Sequence, residues 1–118
     1  MTSKGKYLGE FEEMVLLAVG VLENEAYGVS IKDKLEESTG RRISMGALHA
    51  ALNRLESKQY VISRLGEATR IRGGKRKRYY SVTLPGQQIL RDLMTQRQQL
   101  WEAIPKNSFA IRWNVENK

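Results

Sequence analysis

Eleven basic side chains crowd the middle of this 118-residue chain: Arg41, Arg42, Arg54, Lys58, Arg64, Arg70, Arg72, Lys75, Arg76, Lys77 and Arg78, against only Glu56 and Glu67. Residues 41 to 78 therefore carry +9, whereas residues 1 to 40 carry −4 and residues 79 to 118 carry +2 of the net +7. A field concentrated in this way suits neutralisation of phosphates with release of their counterions. Asn53 and Arg54 add groups that can bond to base edges. Covalent chemistry has little to work with. There is no cysteine and His49 is the only histidine, which removes disulfides, thiolate nucleophiles and both cysteine-rich and two-histidine metal sites. His49 also lacks the glycine-rich elbow that a serine hydrolase would place near its base. The adjacent acids Glu12/Glu13 and Glu36/Glu37 project about 100° apart on a helix and are expected to be solvated surface rather than coupled catalytic pairs. No constellation for catalysis emerges, so neither an enzyme nor a resident metal or cofactor is expected.

The elements that would carry the basic residues follow from periodicity. Phe11, Met14, Val15, Ala18 and Leu22 recur at helical steps over Glu10 to Glu23, with acids in the first turn where the helix dipole favours them. After a turn at Tyr27-Gly28, a second helix runs from Val29 to Thr39 and Gly40 closes it. Ser44 is a good N-cap for a third helix ending near Lys58, whose buried stripe is Leu48, Ala51, Leu52 and Leu55. The opposite face holds Gly46, Ala50, Asn53 and Ser57, flanked by Ala47, His49 and Arg54. Such a small, polar or basic face is what a helix needs to enter a groove about 12 Å wide. His49 has a reference pKa of about 6.5 and would add charge against phosphate at low pH, although a lone helix histidine is more often a surface or packing residue.

From Tyr60 the chemistry becomes that of strands, with YVISRL and KRKRYYSVT on either side of Gly73-Gly74, a hairpin signal. Counting outward from the two glycines sets Arg70, Arg72, Lys75 and Lys77 near the tip and Tyr79, Tyr80, Val82, Val61 and Ile62 near the core. A basic hairpin directly after a helix-turn-helix is a wing. Thr83 then caps a fourth helix, whose Ile89, Leu90, Leu93, Met94, Arg97, Leu100, Trp101 and Ile104 form a stripe that a second copy of the chain would cover. Pro105 stops it. Phe109, Ile111 and Trp113 alternate in the tail, compatible with a docked strand or a loose end. No apolar run reaches the roughly 20 residues needed to span a bilayer, and the N-terminus lacks the features of a secretory signal. A cytoplasmic location is expected.

In order and spacing, AYGVSIKDKLEE, ISMGALHAALNRLESKQYVI and KRYYSVTLPGQQIL resemble the signature of PadR-type regulators. Tyr27 and Gly28 match its Tyr-Gly. Ser44, Gly46, Leu48, Arg54, Leu55 and Glu56 match its recognition helix, and Arg78, Tyr79, Tyr80, Thr83 and Gly86 match its wing and the turn that follows. The resemblance covers about residues 8 to 95. It implies a winged helix-turn-helix repressor of a neighbouring operon, relieved by an effector. Its multidrug-responsive members suggest that planar aromatic effectors could slot between the two Trp101 rings of a dimer, although core packing is the more usual role for such a residue. His49 and Ala50 stand where the family usually has Tyr-Pro, so base preference does not transfer. The short last helix fits the small subclass in which that single helix makes the dimer.

The expected architecture is α+β and mainly α, a winged helix-turn-helix over residues 1–84 followed by a dimerisation helix and tail over 85–118. The expected partners are double-stranded DNA, a second copy of the chain and a small aromatic effector. Contacts to DNA are expected from Ser44, Gly46, Ala47, His49, Ala50, Asn53 and Arg54 on the third helix and from Arg70, Arg72, Lys75, Arg76 and Lys77 on the wing. The dimer contact is expected from Met14, Leu90, Leu93, Met94, Arg97, Leu100, Trp101 and Ile104. The alternative is a winged-helix module for RNA or for a protein partner, since the fold does not fix the ligand.

Overall fold

The computed structural model describes residues 7–67 and 76–107. Helix α1 spans Glu10–Leu22, a short 3-10 turn covers Glu23–Glu25, and α2 spans Gly28–Thr39. Helix α3 (Met45–Ser57), strands β1 (Val61–Leu65) and β2 (Arg78–Val82) and helix α4 (Leu84–Ala103) complete the order. This is the mainly helical winged helix-turn-helix anticipated above. Arg70, Arg72, Gly73, Gly74 and Lys75 lie outside the described residues, as does the tail from 108 onward.

Local chemistry sets the helix ends. Gly40 terminates α2 at φ 72°, the left-handed region that only glycine enters without strain. The Ser44 hydroxyl accepts from the Ala47 N–H at 3.0 Å and opens α3. Between these helices the turn is tied by Glu36, whose carboxylate accepts the Ile43 N–H at 2.9 Å and pairs with Lys32 at 3.1 Å. Glu36 is thus a half-buried fastening of the helix-turn-helix, a correction to the expectation that the 36/37 pair is solvated, which holds only for exposed Glu37.

The core forms where three helices and the hairpin meet. Val15, Leu16 and Val19 of α1, Ile31 and Leu35 of α2, and Leu48, Leu52 and Leu55 of α3 are buried, with Tyr60, Val61 and Tyr80 closing the sheet side. Each fully buried aliphatic side chain contributes about 1.5–3 kcal/mol. The strands pair antiparallel with Val61 opposite Val82 and Leu65 opposite Arg78. A two-residue turn on Gly73-Gly74 would instead set Val82 opposite Leu65, so the register expected from the glycine pair is corrected. The observed pairing is anchored at its base, where the Thr83 N–H bonds to the Tyr60 carbonyl at 3.0 Å, and Val61 and Tyr80 share the buried inner face. Tyr27 adds an unexpected isolated bridge to Tyr79, supported by the Tyr80 N–H donating to the Ala26 carbonyl at 2.8 Å.

Helix α4 leaves this core from a tight junction. Thr83 caps it by accepting from the Gly86 N–H at 3.0 Å while donating its hydroxyl to the Gln59 carbonyl at 2.7 Å. Gly86 lies so near the chain between α3 and β1 that a Cβ there would stand 2.3 Å from the Tyr60 carbonyl oxygen. Backbone cannot yield as a side chain does. Gly86→Ala is therefore expected to cost roughly 1–3 kcal/mol, as overpacking does, read as a lower midpoint in urea denaturation; an unchanged midpoint would show that the junction has slack.

Candidate nucleic-acid interface

The core stripe of α3 turns its other side to solvent. Gly46, Ala47, His49, Ala50, Asn53, Arg54 and Ser57 are all exposed, as is Ser44 at its start. No large apolar side chain stands on this face. Gly28 lets α2 begin close beside it, since a Cβ at that position would lie 3.1 Å from Met45 Cε and 3.7 Å from His49 Cε1. His49 and Asn53 then border an open cleft of about 450 Å³ that ends against Glu56, Ser63, Arg78 and Tyr80. Across it, Arg78 Nη1 donates to Ser63 Oγ at 3.1 Å and Ser63 Oγ donates to Glu56 Oε2 at 2.8 Å. This chain of bonds fixes the wing base against the exposed face of α3. Burial in the same place, helped by the Glu56 charge, raises the Tyr80 phenol above its ordinary pKa.

The described part of the wing is basic and braced by aromatic rings. Tyr27 and Tyr79 meet edge to face at 5.5 Å. The Lys77 ammonium lies 4.2 Å from the centre of the Tyr27 ring and the Arg64 guanidinium 5.0 Å from that of Tyr79. Arg76, Lys77 and Arg78 remain exposed, so these cations are oriented yet still open to solvent. Together with Arg41 and Arg42, also exposed, they flank α3 at both ends of its accessible face.

The other flank of α3 holds what sequence reasoning missed. Glu12 and Glu13 are buried, which corrects the expectation of a solvated pair. Glu12 accepts from Arg54 Nε at 2.5 Å and from Lys58 Nζ at 2.6 Å, and from the Gly9 N–H at 3.2 Å. Glu13 pairs with Arg97 of α4 at 2.8 Å. Burial alone would raise the Glu12 pKa, but hydrogen bonds from Lys58, Arg54 and the Gly9 backbone outweigh it and hold the carboxyl below its ordinary value. A signal was present: Glu12 stands three residues after Gly9, the position from which a carboxylate turns back to cap a helix. Arg54 is thus held by a carboxylate within the chain.

The residues expected to make the dimer contact, Met14 on α1 and the stripe on α4, divide. Met14, Leu90 and Leu93 pack against the chain's own core, and Arg97 is engaged by Glu13. Met94 and Ile104 are half-buried, while Leu100 and Trp101 stand 71% and 66% exposed.

Comparison with known proteins matches residues 16–92 to the transcriptional regulator PadR-like family. The chain belongs to this family. PadR-like proteins are DNA-binding transcriptional regulators and not enzymes. A PadR-like transcription factor from Bacteroides fragilis is 27% identical, with a TM-score of 0.68 over 78% of this chain and 84% of its own. A PadR family transcriptional regulator from Eggerthella lenta is 28% identical, with a TM-score of 0.63 over 79% and 80%. An uncharacterized protein of Lysinibacillus sphaericus is 30% identical over 98 residues, 81% of this chain and 85% of that one. Among the described residues no helix is long and apolar enough to cross a membrane.

Within this PadR-like chain the depressed acidity of Glu12 has a testable sign. A carboxyl held below 4.5 stabilises the fold fully above that value and loses its contribution as pH falls through its folded value. Glu12→Gln should lower stability at pH 7 by about 1–2 kcal/mol and lose less than the parent between pH 5 and pH 3, a range set by about the ordinary carboxylate pKa. Urea denaturation at each pH gives the comparison, and parallel curves would contradict it.

Proposed function

We propose that this PadR-like chain is a repressor that binds an inverted-repeat operator as a homodimer, with α3 in the major groove and the wing on the flanking backbone. The observation that carries the reading is the outer face of α3: exposed, free of bulky apolar groups, and bounded by cations from the α2–α3 link and the wing. Asn53 and His49, with Ser44, Gly46, Ala47 and Ala50 giving close approach, face the bases. Arg54 stands at the edge of this face, and Arg70, Arg72, Lys75, Arg76 and Lys77 hold phosphates. A reader of single-stranded RNA would offer exposed rings for stacking, whereas Tyr80 is buried and Tyr79 is packed against Tyr27.

The partner copy is taken by α4 and the start of α1. Leu100 and Trp101 are exposed near the end of a helix whose first half already belongs to the core, and two such helices would cover one another. Recognition helices held in this way would stand about one DNA turn apart, roughly 34–36 Å. A small planar aromatic effector would enter at the Trp101 rings and relieve repression by changing this spacing. The division at residues 84 and 85 is then one of roles, DNA-binding before it and dimerisation after it.

Two measurements test the reading. Affinity for a duplex enriched by the protein from a random library should fall steeply as salt rises; Asn53→Ala should relax sequence preference at about 1–3 kcal/mol, and Lys77→Ala should weaken all sequences alike. Flat salt dependence, or the same selectivity profile for both variants, would remove the assignment. Sedimentation of Leu100→Asp with Trp101→Ala should give monomers, and a dimer that still protects a palindromic site would move the interface elsewhere.

A further inference from the structure

Arg54 is the only lysine or arginine within α3. On a helical wheel it stands about 60° from Ser57 at the centre of the outer face, on the side of α1, whereas His49 and Glu56 lie on the wing side. Two cations reach Glu12 there, and they differ. The Lys58 ammonium donates both to Glu12 and to the Tyr7 carbonyl, and its side chain is 16% exposed. It is consumed by the fold. The Arg54 side chain is 52% exposed and gives only its Nε to Glu12, so its two terminal nitrogens make no bond among the described residues.

The geometry points to Glu12 as a positioning residue for DNA recognition: by holding Nε of Arg54, it aims the two terminal amino groups at the phosphate backbone on the side of the groove away from the wing. This rests on the reading that α3 enters the major groove. A guanidinium is a planar fork that meets a phosphate through two parallel donors. Fixing the fork before binding removes rotamer freedom that would otherwise be lost in the complex. It also restricts the gain to complexes in which α3 sits in one register, because phosphate contacts made by fixed groups set position and orientation. A loose arginine would serve any sequence equally. Glu12 lies on α1, outside the helix-turn-helix, and adds negative charge near DNA, so its benefit must come through orientation and not through field.

The test is a double-mutant cycle in the full chain with Glu12→Gln and Arg54→Ala. Affinity is measured for a duplex selected by the parent from a random library and for a scrambled duplex of the same composition, beside thermal midpoints. Glu12→Gln should weaken the selected duplex about tenfold while leaving the scrambled one unchanged or tighter, since a negative charge is lost. In the Arg54→Ala background, Glu12→Gln should have no further effect on the selected duplex. Arg54→Lys, which has no fork to hold, should behave as Arg54→Ala does. Equal weakening of both duplexes, or an undiminished Glu12→Gln effect without Arg54, would assign Glu12 to folding alone and overturn the proposal. A parent protein that enriches no duplex would instead remove the groove-binding reading itself.

Discussion

Two adjacent carboxylates, both withdrawn from water, set the terms on which this small protein is assembled. A buried charge is tolerated only where it is met by an opposite charge and by hydrogen bonds. At the first turn of α1, Glu12 and Glu13 require cations, and these arrive from different directions. Arg54 and Lys58 come from α3 and the residue after it, and Arg97 comes from α4. The first helix is therefore more than a slab of core. Its apolar stripe holds α2 and α3 by packing, and its two acids fix the rotation of α3 and the approach of α4.

From that constraint the exposed surfaces follow. Turning Leu48, Leu52 and Leu55 inward, with Arg54 drawn toward Glu12, leaves Gly46, Ala50, Asn53 and Ser57 facing outward. The bond chain from Arg78 through Ser63 to Glu56 holds the strands beside this face. At the far side, the contact of Gly86 with the Tyr60 carbonyl fixes where α4 begins. The helix then covers the core with Leu90 and Leu93 before carrying Leu100 and Trp101 beyond it. The exposed face of α3 and the exposed helix end are thus held in one geometry by contacts within a single chain.

Much of this was legible in the residues because it depends on neighbours in sequence. Ser44, Gly40 and Thr83 act on groups within four positions and marked the helix ends. The period of the apolar residues in α3 separated its buried from its exposed side. What depended on distant partners was misread. Nothing near Glu12 announces Arg54, 42 residues away, and a helical wheel of α1 does not tell which elements will pack on it. The glycine pair at 73 and 74 pointed to one strand register, while the pairing is anchored at the hairpin base by bonds from Thr83 to Tyr60 and from Tyr80 to Ala26. The bridge from Tyr27 to Tyr79 likewise joins segments whose relation exists only in the folded chain.

In the function proposed above, the outer face of α3 is the surface that meets DNA. That role is tested most directly by placing a photo-crosslinking amino acid at Ala50, in the middle of that face, or at Gln99 on exposed α4, and irradiating each protein with a duplex it has enriched. A covalent adduct to DNA is expected from position 50 and none from position 99. An adduct from position 99, with none from position 50, would contradict it.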